Sequence, residues 1–330
     1  YLNHPRKKVS IVGAGFMGKV HAKGYKNIEE AELVAIVDSD KERAAEFSKE
    51  FGCGAYTDLN EVLSRDVDFI DVCVPTLFHK DIIIESFKAG KDVICEKPIS
   101  LSVDEAEEIV EASYKYGRKL MIAHVVRFWP EYYKLSNMIK GGEIRNINYI
   151  TFYRYGAPPK WSVGNWMLTD KKSGGIIYDL CIHDIDYSIS LFGMPQWVFA
   201  RSNVINNDYT AYINIILGYK DVNVFIESGF IMPNSYPFTT GFRLSAENMA
   251  LEYINKNKKG LIIYSNDMET EKRLEYEDFD PYQRELEYFI KCINEDKKPE
   301  IGSGEDAIKA VKLAKYIEMS GRMNEKIIIV

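Results

Sequence analysis

Histidine, carboxylates and lysine are the side chains that most often carry protons in catalysis, and two short stretches of this chain space them for that purpose. One is Glu96-Lys97-Pro98, set directly after an apolar run. The other opens with Ser173-Gly174-Gly175 and continues with Asp179, His183, Asp184 and Asp186. On a helix Asp179 and His183 stand at i and i+4 and share one face. A carboxylate there can orient an imidazole that takes up or returns a proton. The same pair would also serve as a buried polar contact that merely fixes packing. A metal centre is disfavoured, because no third ligand accompanies the two at a recognisable spacing.

A third stretch points to a dinucleotide. Gly13-Ala14-Gly15-Phe16-Met17-Gly18 follows an apolar strand and opens a helix, so the glycines can make the tight turn and bring backbone close to a pyrophosphate. The helix N-terminus then faces the anion. Asp38 ends the next strand, where a carboxylate accepts hydrogen bonds from both ribose hydroxyls of NAD and repels the 2'-phosphate of NADP. Lys41 and Arg43 lie near enough to soften that repulsion, so use of NADP as well stays open. The competing interpretation is a glycine turn beside a solvated acidic loop. Further along, Val74-Pro75-Thr76 closes another strand and His79 follows three residues later, where such a sheet lines its ligand crevice. For His79 a structural role at a helix start and a ligand contact are equally open.

These residues need a frame. From Lys8 to about Ala123, short β-branched runs alternate with amphipathic stretches, the pattern of a doubly wound parallel sheet. The expected strands are Val9–Val12, Leu33–Val37, Phe69–Val74, Val93–Cys95 and Leu120–Ile122, with helices over Lys41–Phe51, Lys80–Ala89 and Val103–Tyr116. Beyond Arg127 the strands lengthen and alternate (Ile147–Tyr153, Tyr209–Leu217, Val222–Phe230, Leu261–Tyr264), which predicts a second α/β domain on an open, mostly antiparallel sheet. Helices are expected over Ile176–Phe192, Tyr282–Asn294 and Glu305–Ser320, and a last strand over Lys326–Val330. The domains are therefore set at 1–123 and 124–330. The residues before the first strand, His4 among them, are left out of the reading.

With 330 residues, 46% of them hydrophobic and 28% charged, the chain is long enough for two cores and ordinary in composition. A formal net charge of -7 argues against nucleic acid, whose affinity comes largely from Lys and Arg on phosphates, and favours a small-molecule partner. No apolar run is long enough for a membrane span, and no charged segment followed by an apolar stretch and a cleavage site opens the chain, so a cytoplasmic location is expected. The five cysteines are scattered, with no C-x-x-C spacing, and are read as reduced thiols.

Taken together, the glycine turn at Gly13–Gly18, the segment from Pro75-Thr76 to His79, Glu96-Lys97-Pro98, Arg127-Phe128, and Gly174-Gly175 followed by Asp179 and His183 resemble the Gfo/Idh/MocA family over essentially the whole chain. The resemblance implies that Lys97, Asp179 and His183 form the catalytic set and that Glu96 and Lys97 approach the nicotinamide, with Arg127 also among the cofactor contacts. It implies a homodimer or homotetramer built through the second domain's sheet. Thr76 departs from the pattern, since many members carry Asn there. The reading that follows is an NAD-dependent dehydrogenase acting on a secondary alcohol of a sugar or cyclic polyol. Tyr155, Trp161 and Trp166 are candidates for an apolar wall against a sugar face, or for core packing. The family's redox-neutral glycosidases are one rival; a non-catalytic sensor of NAD or a sugar is another.

Overall fold

Six parallel strands form the first sheet, as their nearly all-apolar sequences require of strands covered on both faces. In a computed structural model describing residues 5–158, 174–206 and 209–329, they are β1 (Lys7–Val12), β2 (Ala31–Val37), β3 (Gly54–Tyr56), β4 (Phe69–Val72), β5 (Asp92–Glu96) and β6 (Leu120–Ala123). Their order is β3-β2-β1-β4-β5-β6, so the sheet grows outward in both directions from β1 and β4. At that switch point the loops after β1 and β4 diverge and leave a crevice at the carboxyl edge. The three-residue β3 escaped the sequence reading; Gly54-Ala55-Tyr56 is too short to show a period.

The helices obey local signals. Asp40, Asp58 and Ser102 each accept a backbone N–H at the helix start they cap, and Gly52 and Gly117 end two helices in the left-handed conformation. Helix Pro281–Asn294 begins at Pro281 behind its cap, Asp280, which accepts from the N–H groups of Tyr282 and Gln283.

The second sheet has nine strands in the order β14-β13-β12-β11-β7-β10-β9-β8-β15. They are β7 (Ile147–Tyr155), β8 (Trp197–Asn206), β9 (Tyr209–Gly218), β10 (Asn223–Gly229), β11 (Thr239–Ala246), β12 (Met249–Ile254), β13 (Ile262–Ser265), β14 (Lys272–Arg273) and β15 (Ile327–Ile328). Every pairing is antiparallel except β7 with β10, which run parallel. One face is buried under an aromatic cluster of Tyr132, Phe152, Tyr187, Phe242 and Tyr253, with ring centroids 5.0 to 6.4 Å apart. The other face stays open, as the alternation of buried and partly exposed residues along β7, β9 and β10 shows.

The chain does not divide at a single point. It leaves the first compact unit after Phe128, returns at Phe279 and leaves again after Ile308. The expected boundary at 123 and 124 therefore omits a returning segment, for a packing reason. Leu286, Phe289 and Ile290 of helix Pro281–Asn294 belong to the same core cluster as Val9, Ile11 and Tyr25, and Phe289 meets Phe69 edge to face at 5.5 Å. Such a docking is invisible to periodicity, which records that a helix is amphipathic but not what it covers.

Phe289→Ala is expected to destabilise the first unit by about 3–5 kcal/mol, the usual loss for a buried aromatic side chain. Urea unfolding followed through NAD binding measures it, and an unchanged midpoint would mean that the returning helix is dispensable to this core.

Candidate active site

The cofactor turn is built by steric necessity. Gly13 takes φ +109°, and a Cβ there would lie 2.5 Å from the carbonyl oxygen of Cys73; at Gly18 it would lie 2.0 Å from the carbonyl oxygen of Gly13. Both positions demand glycine because backbone passes backbone. Gly15 is different: no atom lies within 4 Å of where its Cβ would be, and no side chain caps the helix that starts at Phe16. An open space in front of an uncapped helix N-terminus fits a diphosphate. Phe16 is exposed and Met17 partly so at the first turn.

Asp38 stands beside this turn, nearly buried, and its carboxylate is fully engaged. It accepts from Ala14 N at 2.9 Å, Asp40 N at 2.9 Å, and Arg43 through Nε at 3.4 Å and Nη2 at 2.6 Å. Burial alone would raise the Asp38 carboxyl, but Arg43 and the two backbone donors outweigh it and hold it below its usual range. A carboxylate offers about four acceptor sites, so ribose hydroxyls must displace Arg43 to reach it. Arg43 also holds Asp40 Oδ2 at 3.0 Å, which gives the guanidinium a resting place when it leaves.

At the ends of β4 and β5 the loops are tied together. Pro75 precedes a short 3-10 turn, Thr76–Phe78, in which Thr76 is buried. The His79 ring is buried, with Nδ1 3.0 Å from the Pro98 carbonyl and Nε2 2.9 Å from the Val74 carbonyl. Burial pushes the imidazole down from its usual value despite these carbonyls. Of the two roles left open for His79, this placement is that of a strut between loops; a ring enclosed on both nitrogens has no edge left for a ligand. Glu96 is buried and its Oε2 accepts the backbone N–H of Lys97 at 3.0 Å, while the Lys97 side chain is partly exposed. Arg127, in the 3-10 turn Val125–Phe128, is nearly buried and pairs through Nη1 with Asp306 at 3.0 Å.

The second unit carries Asp179 and His183. The expected continuous helix is instead a π turn, Ile177–Cys181, running into an α-helix, Ile182–Phe192. Such turns recur at functional sites. Asp179 lies in the π turn and His183 in the first α turn. From Gly175 to Ile189 every residue is buried except these two. The helix is pinned from below by Arg154 of β7, whose Nε and Nη2 donate to Asp184 Oδ2 at 3.1 Å and Oδ1 at 2.8 Å. Both partners are buried; burial by itself would lower Arg154, but Asp184 outweighs it and drives the guanidinium further up.

Tyr155 alternates with Arg154 along β7 and so projects from the opposite face of the strand, where its hydroxyl is hydrogen-bonded with Glu227. The structure therefore does not bring Tyr155 to His183, which corrects its assignment as a substrate wall. Trp161, Trp166 and Ser173 lie outside the described residues. The sequence reading missed Arg154, His21 and Asp71. The signal was present in each strand, a charged residue inside an apolar run: Arg154 in ITFYRY and Asp71 in FIDV.

Known proteins bear on this arrangement. Residues 7–124 match the model of the GFO_IDH_MocA oxidoreductase family's NAD-binding Rossmann fold, and residues 136–327 match that of its C-terminal alpha/beta domain. The inositol 2-dehydrogenase of Rhizobium meliloti is 30% identical over 329 residues, covering 93% of this chain and 94% of its own. The myo-inositol 2-dehydrogenase of Thermotoga maritima is 28% identical, covering 93% of each. In fold, the chain is similar to an oxidoreductase from Agrobacterium radiobacter solved with NAD+, L-tartaric acid and magnesium, at a TM-score of 0.87 and 17% identity over 98% of both chains. Among the described residues no helix is long and apolar enough to cross a membrane.

Two outcomes are expected. Asp38→Ala weakens NAD by roughly ten- to a hundredfold, the loss of hydrogen bonds to a charged group, whereas Arg43→Ala strengthens NAD and weakens NADP; titration calorimetry with both cofactors reads the contrast, and an unchanged preference in both variants would contradict the ribose assignment. Arg154→Met strands a buried carboxylate and is expected to cost about 3–5 kcal/mol of stability in chemical unfolding; a wild-type midpoint would contradict the pinning role.

Proposed function

This chain belongs to the Gfo/Idh/MocA oxidoreductase family, and from that premise we propose that it interconverts a secondary alcohol of a sugar or cyclic polyol such as inositol and the corresponding ketone. The observation that carries the reading is the pair Asp179 and His183, the only residues not buried along Gly175–Ile189. A carboxylate and an imidazole left accessible on an otherwise buried helix serve proton transfer better than packing. The inositol dehydrogenases among the relatives support the choice of polyol.

Held at the Gly13–Gly18 turn and Asp38, NAD would supply the acceptor for the hydride of the alcohol carbon. His183 takes the hydroxyl proton, so that hydride and proton together account for the two hydrogens lost. Asp179 orients the imidazole and stabilises it once protonated. Lys97, by family resemblance, donates a hydrogen bond to the reacting oxygen and stabilises its developing negative charge. In the reverse direction His183 returns its proton to the same oxygen.

Association as a homodimer or homotetramer belongs to the same reading, through the open face of the nine-stranded sheet. Tyr149 and Phe225 meet edge to face there at 6.3 Å, and Phe225 and Tyr264 are each more than a third exposed. Aromatic side chains with that exposure suit a contact between copies.

The test is absorbance of reduced nicotinamide with purified protein, NAD or NADP, and a panel of inositols, aldoses and sugar acids. Lys97→Ala and His183→Ala are each expected to lower kcat about a hundredfold or more with NAD affinity retained. Near wild-type turnover in both would remove these roles. Release of an aglycone with no net reduction would assign the redox-neutral glycosidase chemistry instead, and NAD binding with neither reaction would assign a sensor.

A further inference from the structure

Asp71 is out of place in the first sheet. It sits in β4 between Ile11 of β1 and Ile94 of β5 and is wholly buried. A carboxylate in that position is costly unless it is paired and hydrogen-bonded. His21, equally buried, pairs with it: Nδ1 lies 2.9 Å from Asp71 Oδ2, which also accepts from the Tyr25 hydroxyl at 2.8 Å. The other edge of the ring faces the loop after β5, with Nε2 3.2 Å from Glu96 Oε1. The second oxygen of Glu96 holds the Lys97 amide. A single line of contacts thus runs from the middle of the sheet, through His21, to the backbone of Lys97.

We propose that His21 is a positioning residue for Lys97: clamped between Asp71 and Glu96, it keeps the Glu96 carboxylate in the orientation that receives the Lys97 amide and thereby fixes the root of the lysine side chain. The inference rests on the assignment of Lys97 to the reacting oxygen. An alternative role as mere core filling does not account for a buried ring with a carboxylate at each nitrogen. A geometric clamp of this kind matters because a displacement of about 1 Å in a catalytic group can cost a hundredfold in rate.

Among the described residues, the titratable groups facing the ring are Asp71 and Cys73 from β4 and its end, Glu96 from β5 and Glu285 from helix Pro281–Asn294 at 4.0 Å, while Tyr25 of the ring's own helix binds the shared Asp71 oxygen. Burial alone would lower the imidazole, but Asp71 and Cys73 outweigh it and raise His21 well above its usual value. Burial, reinforced by Glu96 and Asp71, pushes the Glu285 carboxyl well up despite His21, and burial pushes the Cys73 thiol up too. The contact with Asp71 thus favours the protonated ring, while burial favours the uncharged form of Glu285.

The experiment compares the full-length, NAD-loaded wild type with His21→Gln, Glu96→Gln and the double variant. Turnover is read on whichever polyol the panel identifies, and backbone amide exchange by mass spectrometry on peptides spanning residues 94–99. His21→Gln is expected to lower kcat by about tenfold or more, as a misplaced catalytic group would, with NAD affinity close to wild type. Exchange should quicken over residues 94–99 while β1 and β2 stay protected. Because both side chains act along one line, the double variant should lose no more than the worse single. Unchanged turnover in His21→Gln, losses that multiply in the double variant, or exchange rising uniformly across the sheet would each overturn the proposal. Should His21→Gln not fold, Glu96→Gln alone must quicken exchange over the same residues, and failure to do so sinks the clamp. If no polyol is turned over by the wild type, the substrate reading fails while the exchange pattern still decides this one.

Discussion

Parallel strands place all their carboxyl ends along one edge, and that constraint organises the first unit. The turn at Gly13–Gly18 follows β1, Asp38 follows β2, Pro75 to His79 follow β4, and Glu96 closes β5 ahead of Lys97-Pro98. Residues scattered over about a quarter of the chain are brought to one rim because the crossover helices return each strand in the same direction. What remains is to hold the rim loops in register with one another. His79 does this through two carbonyls, one in the loop after β4 and one in the loop after β5. Asp38 does it at the other side, where the carboxylate after β2 accepts from Ala14 N in the turn after β1.

The second unit solves a different problem. Its sheet has one buried face, and the helix that bears His183 must lie on that face with its polar residues correctly presented. Arg154 and Asp184 settle the rotation of the helix: a bidentate pair in the interior is too costly to misalign, since either partner left alone is an unpaired buried charge. With Asp184 held inward, its neighbour His183, about 100° further round the helix, is left only partly buried. The π turn just before it sets Asp179 relative to His183 differently from an uninterrupted α-helix, although their separation in sequence is unchanged.

Buried charge is the feature the two units share. In each, a central strand carries one charged residue in an otherwise apolar run, and that residue engages a helix bearing functional groups: Asp71 with His21, three residues after the cofactor turn's last glycine, and Arg154 with Asp184, adjacent to His183. Apolar packing alone tolerates small slips of a helix along a sheet, because one buried methyl is much like the next. A paired charge tolerates far fewer, because its hydrogen bonds have fixed geometry.

Periodicity and turn chemistry are local, and what is local was legible in the chain itself: five of the six parallel strands to within two residues, the dinucleotide turn, Asp38 at the end of its strand, and the spacing of Asp179 and His183. β3 was missed because three residues carry no period, and the expected strand Phe69–Val74 ends early at Val72, where the backbone must turn into the crevice. Partners distant in sequence are another matter. That Phe279–Ile308 packs back into the first unit, that Tyr155 points away from the helix, that His79 is enclosed by two carbonyls, and that His21 meets Asp71 fifty residues away are decided by which faces meet once the chain is folded. A sequence records which residues can share a face; the tertiary structure decides which face lies opposite, because that choice depends on the summed packing and electrostatics of elements that no local window contains.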